Sequence, residues 1–225
     1  MNRRQIIYSF VAAVVLTLLS IFFLDQPIAA FVQKVDGRSS VILQKGTSFL
    51  EVISGLPIHK FALSYALLAT GLNLFVWKST RSAAWMLLFI CCVQFVTRIT
   101  AGTLKNVFLR LRPFEVIQAG NWDWNFFGDR GSSFPSGHGA LFWGLFFPLA
   151  YLFPRYRIPF LIIPLFISVA RVGVNDHWCS DVLGSAAIAA AVTLLFTWIF
   201  RMTPAVASGP SPTTPQREPS AAHEH

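Results

Sequence analysis

Val182–Phe200, VLGSAAIAAAVTLLFTWIF, is a run of 19 residues without one charged side chain. Ile6–Leu24, IIYSFVAAVVLTLLSIFFL, is a second of the same length. Both come close to the roughly 20 apolar residues that a helix needs to cross a hydrocarbon core about 30 Å thick. Working outward, Phe61–Trp77 is a third charge-free stretch and closes on an interfacial tryptophan. Three more apolar stretches run into a basic residue: Ala83 onward to Arg98, Gly139 to Phe153, and Ile158 onward to Arg171. The pattern predicts an all-α fold, a polytopic bundle of six transmembrane helices spanning residues 1–202. Arg3, Arg4 and Ala29-Ala30 also fit a signal peptide, but the apolar core exceeds the usual 7–15 residues and reads as an uncleaved helix.

Composition agrees. Only 12% of the 225 residues are charged and 54% are hydrophobic, with 22 Phe and 7 Trp. That excludes a disordered chain, and the apolar surface exceeds what one small water-soluble core can hide. The net charge of +8 is carried by residues scattered between apolar blocks, which argues for a bilayer and against nucleic acid as partner. Cys91, Cys92 and Cys179 form neither a disulfide framework nor a zinc pattern.

Orientation follows from basic-residue density. Arg3, Arg4, Lys78, Arg81, Arg155 and Arg157 crowd into the 14 positions of three short segments, 1–5, 78–82 and 154–157. Such segments belong in the cytoplasm, so both termini are expected there. Residues 25–60 and 103–139 become outer loops facing the periplasm of a bacterial inner membrane. The apolar residues of Val41–Ile53 predict a helix along the membrane surface. Residues 203–225, rich in Pro, Ser and Thr, are expected to be a disordered cytoplasmic tail.

Three polar clusters fall on the expected outer side: Lys105 to Pro113, Pro135-Ser136-Gly137-His138, and Arg171 with His177 and Asp181. Each alone has an ordinary reading. Lys105, Arg110 and Arg112 can snorkel, Ser136 can cap a helix, and Asp181 can cap another. Together they have a chemical logic. Lys105 and Arg112, two helical turns apart, would share a face. With Arg171 they make a site for a tetrahedral oxyanion, to which the N–H groups around Ser136 and Gly137 add neutral donors. His177 and Asp181, four apart, can meet, leaving one ring nitrogen free to attack phosphorus, while His138 protonates the leaving oxygen.

These clusters resemble the three signature motifs of the type-2 phosphatidic-acid phosphatase superfamily, which includes the vanadium haloperoxidases. The family pattern reads Lys, six residues, Arg-Pro; then Pro-Ser-Gly-His; then Ser-Arg, five residues, His, three residues, Asp. Ala170 stands where the family has serine, which weakens the phosphate pocket and leaves the mechanism intact. The resemblance implies that His177 is the nucleophile, Asp181 orients it and His138 is the general acid. It implies that Lys105, Arg112, Ser136, Gly137 and Arg171 bind phosphate, with no metal or other cofactor. The expected activity is removal of a terminal phosphate from a membrane lipid: undecaprenyl pyrophosphate, phosphatidylglycerophosphate, phosphatidic acid or a lipid A phosphate. No obligate protein partner is implied.

Rival readings are a lipid-to-lipid phosphotransferase using the same site and a lipid or phosphate transporter, for which midplane polar residues would be needed. A metal hydrolase on His138, His177 and Asp181 must explain three repelling cations, and a serine hydrolase on Ser136 lacks the nucleophile elbow. Arg98 and Arg110 are expected either to snorkel or to hold a second phosphate or a sugar headgroup. Trp122, Trp124, Phe126 and Phe127 are expected to form an interfacial belt or a lip for a lipid tail.

Overall fold

The computed structural model describes residues 1–120 and 126–204, so the tail from 205 onward and Trp122 and Trp124 lie outside the described residues. Among those described, the chain is all-helical. The helices are α1 (Arg3–Leu19), α2 (Asp25–Lys34), α3 (Val41–Ile53), α4 (Ala62–Leu74), α5 (Arg81–Phe108), α6 (Pro113–Ala119), α7 (Gly137–Leu152), α8 (Arg157–Gly173) and α9 (Cys179–Ile199).

Four stretches are long and apolar enough to cross a membrane: Arg3–Lys34, Lys78–Ala119, Pro154–Gly173 and Cys179–Ile199. The other two of the six expected crossings are shorter helices, α4 with 13 residues and α7 with 16. At 1.5 Å per residue these reach only about 20 and 24 Å. The first helix outruns its expected end at Leu24. A π-helical turn, Ser20–Leu24, carries it directly into α2 and brings Asp25 into the interior, where it is 3% exposed.

The α9 helix is the centre of the bundle, packing against α1, α5 and α7, while α4 lies on α5 and α8 on α7. Its buried Gly184, Ser185, Ala186, Ala187, Ala189 and Ala190 explain this position, because small side chains let neighbouring backbones come close. Phe89, Ile90 and Val93 of α5 and Phe147, Tyr151 and Leu152 of α7 fill the space around that stripe. Buried hydroxyls bond back to their own helices: Thr17 to the Ala13 carbonyl, Thr97 to Val93 and Thr193 to Ala189, each at 2.7 Å. These three hydroxyls are thereby satisfied within their own helices. Val11, Leu18, Leu72, Ile162, Leu195 and Trp198 stay exposed on the outer faces of the helices, as lipid contact requires.

The expected surface helix forms as α3. Leu50 and Leu56, just beyond its end, pack toward Phe142 and Ile167, and Thr47 is buried. Ile42, Phe49, Val52 and Ile53 point outward and are exposed. At the opposite end of the bundle the Met1 ammonium donates to the Ala150 carbonyl at 3.0 Å and Arg3 to the Thr197 carbonyl at 3.1 Å. The first apolar stretch is therefore an integral part of the packed bundle.

Candidate active site

The three polar clusters meet at one end of the bundle, where α5 and α8 finish and α7 and α9 begin. Lys105 lies in the last turn of α5, which stops because Leu109 takes the left-handed conformation at φ 46°. Arg112 is then extended and precedes α6. The two cations therefore share no helix face, contrary to the spacing argument. The turn at Leu109 brings them into electrostatic range of one another and of Arg98 and Arg171. Lys105 does not snorkel outward either. Its Nζ donates to the carbonyl oxygens of Ser132 and Ser133.

Residues 128–133 zip onto this turn. The N–H groups of Gly128, Gly131 and Ser133 donate to the carbonyls of Phe108, Leu109 and Arg110 at 2.8–2.9 Å. Glycine is required here, since a Cβ on Gly131 would lie 2.1 Å from the Arg110 carbonyl oxygen. The zipped segment delivers Ser133 and then the Pro135–His138 motif to the start of α7.

Ser136 does cap α7, its Oγ accepting from the Gly139 N–H at 3.2 Å. Its own N–H donates to the Asp181 carbonyl at 3.1 Å and so is not a phosphate donor, correcting that part of the sequence reading. The N–H groups of Gly137 and His138 occupy the first turn of α7, where no preceding turn can accept them. Arg98 braces the motif from α5, donating from Nη1 to the Gly137 carbonyl at 3.1 Å. It therefore turns inward to the motif and does not snorkel.

His177 and Asp181 meet as expected, although His177 lies just ahead of α9. The Asp181 Oδ2 accepts from His177 Nδ1 at 3.2 Å, from the Trp178 N–H at 2.9 Å and from Ser133 Oγ at 2.5 Å. Asp181 thus caps α9 and holds the histidine ring at once. With Nδ1–H donated, Nε2 carries the lone pair. Burial pushes His177 down to about 4, against the opposite pull of Asp181, so its ring is neutral near pH 7.

Behind this pair stands a network that the sequence did not disclose. Arg110 is 7% exposed and bridges Asp181 Oδ1 at 2.8 Å and Asp25 Oδ2 at 2.7 Å. Asp25 also accepts from the Ser180 N–H at 2.9 Å and the Ser180 hydroxyl at 2.5 Å. The guanidinium lies 4.6 Å from the centre of the Phe126 ring and 5.1 Å from that of Trp178. Arg110 therefore has neither role expected of it, and Phe126 packs with Phe108 and Phe134 rather than standing at a lip. Phe127 remains 66% exposed.

Arg171 donates from Nη2 to Asp176 Oδ2 at 2.6 Å, while its buried Nε has no partner among the described residues. An unsatisfied buried guanidinium N–H is costly and calls for an acceptor, which a phosphate oxygen supplies. Ala170, ahead of it, is fully buried and brings no hydroxyl. Beside Arg171 lies a cavity of about 260 Å³ walled by Arg38, Gln44, Ser48, Glu51 and Asp176. Asp25, Glu51 and Ser133 are the residues that spacing arguments missed, and Arg110 is the one whose partners they did not foresee. The available signal was the scarcity of acids: 10 Asp and Glu in a chain this apolar must each find a partner.

Residues 82–204 match the PAP2 superfamily, and the chain belongs to it. It is 30% identical over 131 residues to a lipid A 1-phosphatase of Rhizobium johnstonii, covering 55% of this chain and 54% of that protein. It is 27% identical over 190 residues to a lipid A 1-phosphatase of Rhizobium etli, covering 81% and 79%. The chain thus spans about half the length of the first relative and about four-fifths of the second. No solved structure matches it. Its apolar helices and these relatives mark it as a membrane protein.

Proposed function

We propose that this protein is an integral membrane lipid phosphatase that removes the anomeric phosphate of a lipid A-type glycolipid through a phosphohistidine at His177. The observation that carries the chemistry is the buried His177–Asp181 pair facing Lys105, Arg112 and Arg171. The two relatives, both lipid A 1-phosphatases, favour that substrate over the polyprenyl and glycerolipid phosphates. The polar cavity beside Arg171 supports it, because a sugar bearing hydroxyls can fill that space with hydrogen bonds. In this reading all six apolar stretches traverse the bilayer, with α4 and α7 as the short members. Both termini are cytoplasmic and the site opens to the periplasm of a bacterial inner membrane.

The reaction follows from the geometry. Lys105, Arg112 and Arg171 hold the phosphate oxygens, with the Gly137 and His138 N–H groups adding donors. His177 Nε2 gives its lone pair to phosphorus, and the P–O bond to the sugar breaks. Asp181 Oδ2, already bonded to Nδ1–H, stabilises the positive charge that appears on the ring. His138 gives a proton to the departing oxygen. A water then attacks the phosphohistidine, passing its proton to His138, and His177 returns to the neutral state.

The test is phosphate release by the detergent-purified chain from a panel of lipid A 1-phosphate, undecaprenyl pyrophosphate and phosphatidic acid, each with EDTA. Quenching ³²P-substrate turnover in alkaline detergent should trap a phosphoenzyme that is stable to alkali and lost in acid, as phosphohistidine is, and absent in His177→Ala. Release that continues at the normal rate in that variant refutes the nucleophile assignment. Preference for another lipid refutes the substrate assignment alone. Label appearing on an acceptor lipid would convert the hydrolase into a transferase.

A further inference from the structure

The reading above needs His138 to be protonated when substrate binds, and its surroundings oppose this. Arg171 of α8 and Arg98 of α5 both face the ring. Burial of the ring and the positive charge of these two guanidinium groups favour neutral imidazole, which is too weak an acid for the departing oxygen. One group opposes them. The Glu51 carboxylate reaches across from α3, and its Oε1 lies 2.5 Å from His138 Nε2. Both side chains are mostly enclosed, at 27% and 18% exposure, so the pair is screened less than one on an open surface. Glu51 sits on the inner side of α3, one residue from the exposed Val52 and two from the exposed Phe49 and Ile53.

We propose that Glu51 is the positioning residue for the general acid: it holds the His138 ring and keeps its proton through the approach of a lipid phosphate. The inference rests on the function proposed above, in which His138 serves as acid and then as base. Glu51 stays ionised throughout. Its hydrogen bond with His138 holds it below the usual carboxylate range, and Arg171 acts in the same direction. The proton given to the sugar oxygen comes from His138 and is regained by His138 from the attacking water, so Glu51 gains and loses nothing. Two histidines one motif apart are thus given different neighbours, His177 a buried aspartate and His138 a carboxylate from α3 that works to hold its proton. The carboxylate comes from the helix that lies along the membrane surface, so seating of α3 and competence of the acid are linked.

The experiment compares Glu51→Gln and Glu51→Asp with the wild-type chain in detergent, using two substrates under single-turnover conditions. The glycolipid phosphate has a poor leaving group and needs the acid, whereas p-nitrophenyl phosphate releases a stable phenolate and does not. Glu51→Gln should lower the glycolipid rate about tenfold or more at pH 8 and move the alkaline limb of its pH profile down by about one unit. The burst of nitrophenolate should stay within about threefold of wild type, since nucleophilic attack by His177 is untouched. Glu51→Asp, keeping the charge, should recover part of the loss and the position of the limb. Equal losses on both substrates with an unmoved pH limb would overturn the proposal and leave Glu51 a docking residue of α3. An unchanged glycolipid rate would overturn it as well. If the wild-type chain forms no phosphohistidine, the proposed function fails first, a result visible before any variant is made.

Discussion

Arg110→Ala separates a buried structural bridge from a substrate contact. In the folded protein one guanidinium satisfies two carboxylates, Asp25 at 2.7 Å and Asp181 at 2.8 Å, and all three side chains are at most 8% exposed. Alanine leaves both acids buried without their cation and removes the donor shared with the Ser180 hydroxyl at 2.7 Å. Breaking a buried pair by deleting one partner costs about 3–5 kcal/mol, and here two partners are orphaned, so the upper part of that range is expected. At about 1.4 kcal/mol per factor of ten, this is a fall of roughly 10³-fold in the folded-to-unfolded ratio. The assay is denaturant unfolding of the detergent-solubilised protein, followed by near-ultraviolet circular dichroism, with activity measured on the fraction that stays folded. Asp25→Asn in the Arg110→Ala background should then cost less than it does alone, with a coupling of about 1–3 kcal/mol, because the orphaned charge it removes is itself a liability. An Arg110→Ala protein with a wild-type unfolding midpoint and only a raised KM would refute the argument and return Arg110 to the role of headgroup ligand.

Three further outcomes are expected. Since burial lowers His177 to about 4, the unfolded chain binds more protons than the folded one between about pH 4 and pH 6.5. Folding stability should therefore rise with pH through that window, and the acid limb of kcat/KM should fall below pH 5; unfolding midpoints and a rate profile check both, and an acid limb near 6.5 would contradict them. Arg171→Lys should raise KM about tenfold or more with little change in unfolding midpoint, because a point charge cannot bring two N–H groups to one phosphate; steady-state kinetics with the best lipid measures it. Gly131→Ala should abolish activity and lower the unfolding midpoint, since its Cβ would sit 2.1 Å from the Arg110 carbonyl oxygen and the 128–133 segment would have to lift away.

The apolar runs and the three polar clusters were readable in the sequence because each signal is local. Periodicity and length announce a buried helix, and motif spacing places groups within a few residues of one another. Even there the reason was sometimes wrong. Lys105 and Arg112 come together through a left-handed turn at Leu109, a conformation that leucine gives no hint of adopting. Ser136 reads as a donor but gives its N–H to Asp181, a bond across 45 residues that only the packed bundle creates. Glu51 with His138, and Asp25 with Arg110, are joined across 87 and 85 residues, and no spacing rule reaches that far. The lengths of the helices were no more legible than these pairings. Apolar content marks Gly139 to Phe153 as a crossing, but the polar motif at its start and the turn at Phe153 hold α7 to 16 residues.

The pairing of Asp25 with Ser180 and Arg110 sets an order of events during synthesis. Helix α1 finds its main neighbour only in α9, about 160 residues later in the chain. Until α9 has been inserted, Asp25 lacks the Ser180 N–H and hydroxyl that complete its bonds, although Arg110 is already in the chain, and Asp181 is not yet there to share that guanidinium. On the function proposed above, a nascent or truncated chain without α9 is expected to lack hydrolytic activity, however many of its helices are already in the bilayer. Insertion of α9 closes the bundle around α1, α5 and α7, so failure of that step leaves Asp25 and Arg110 short of the partners that α9 supplies, a defect that quality-control proteases can recognise.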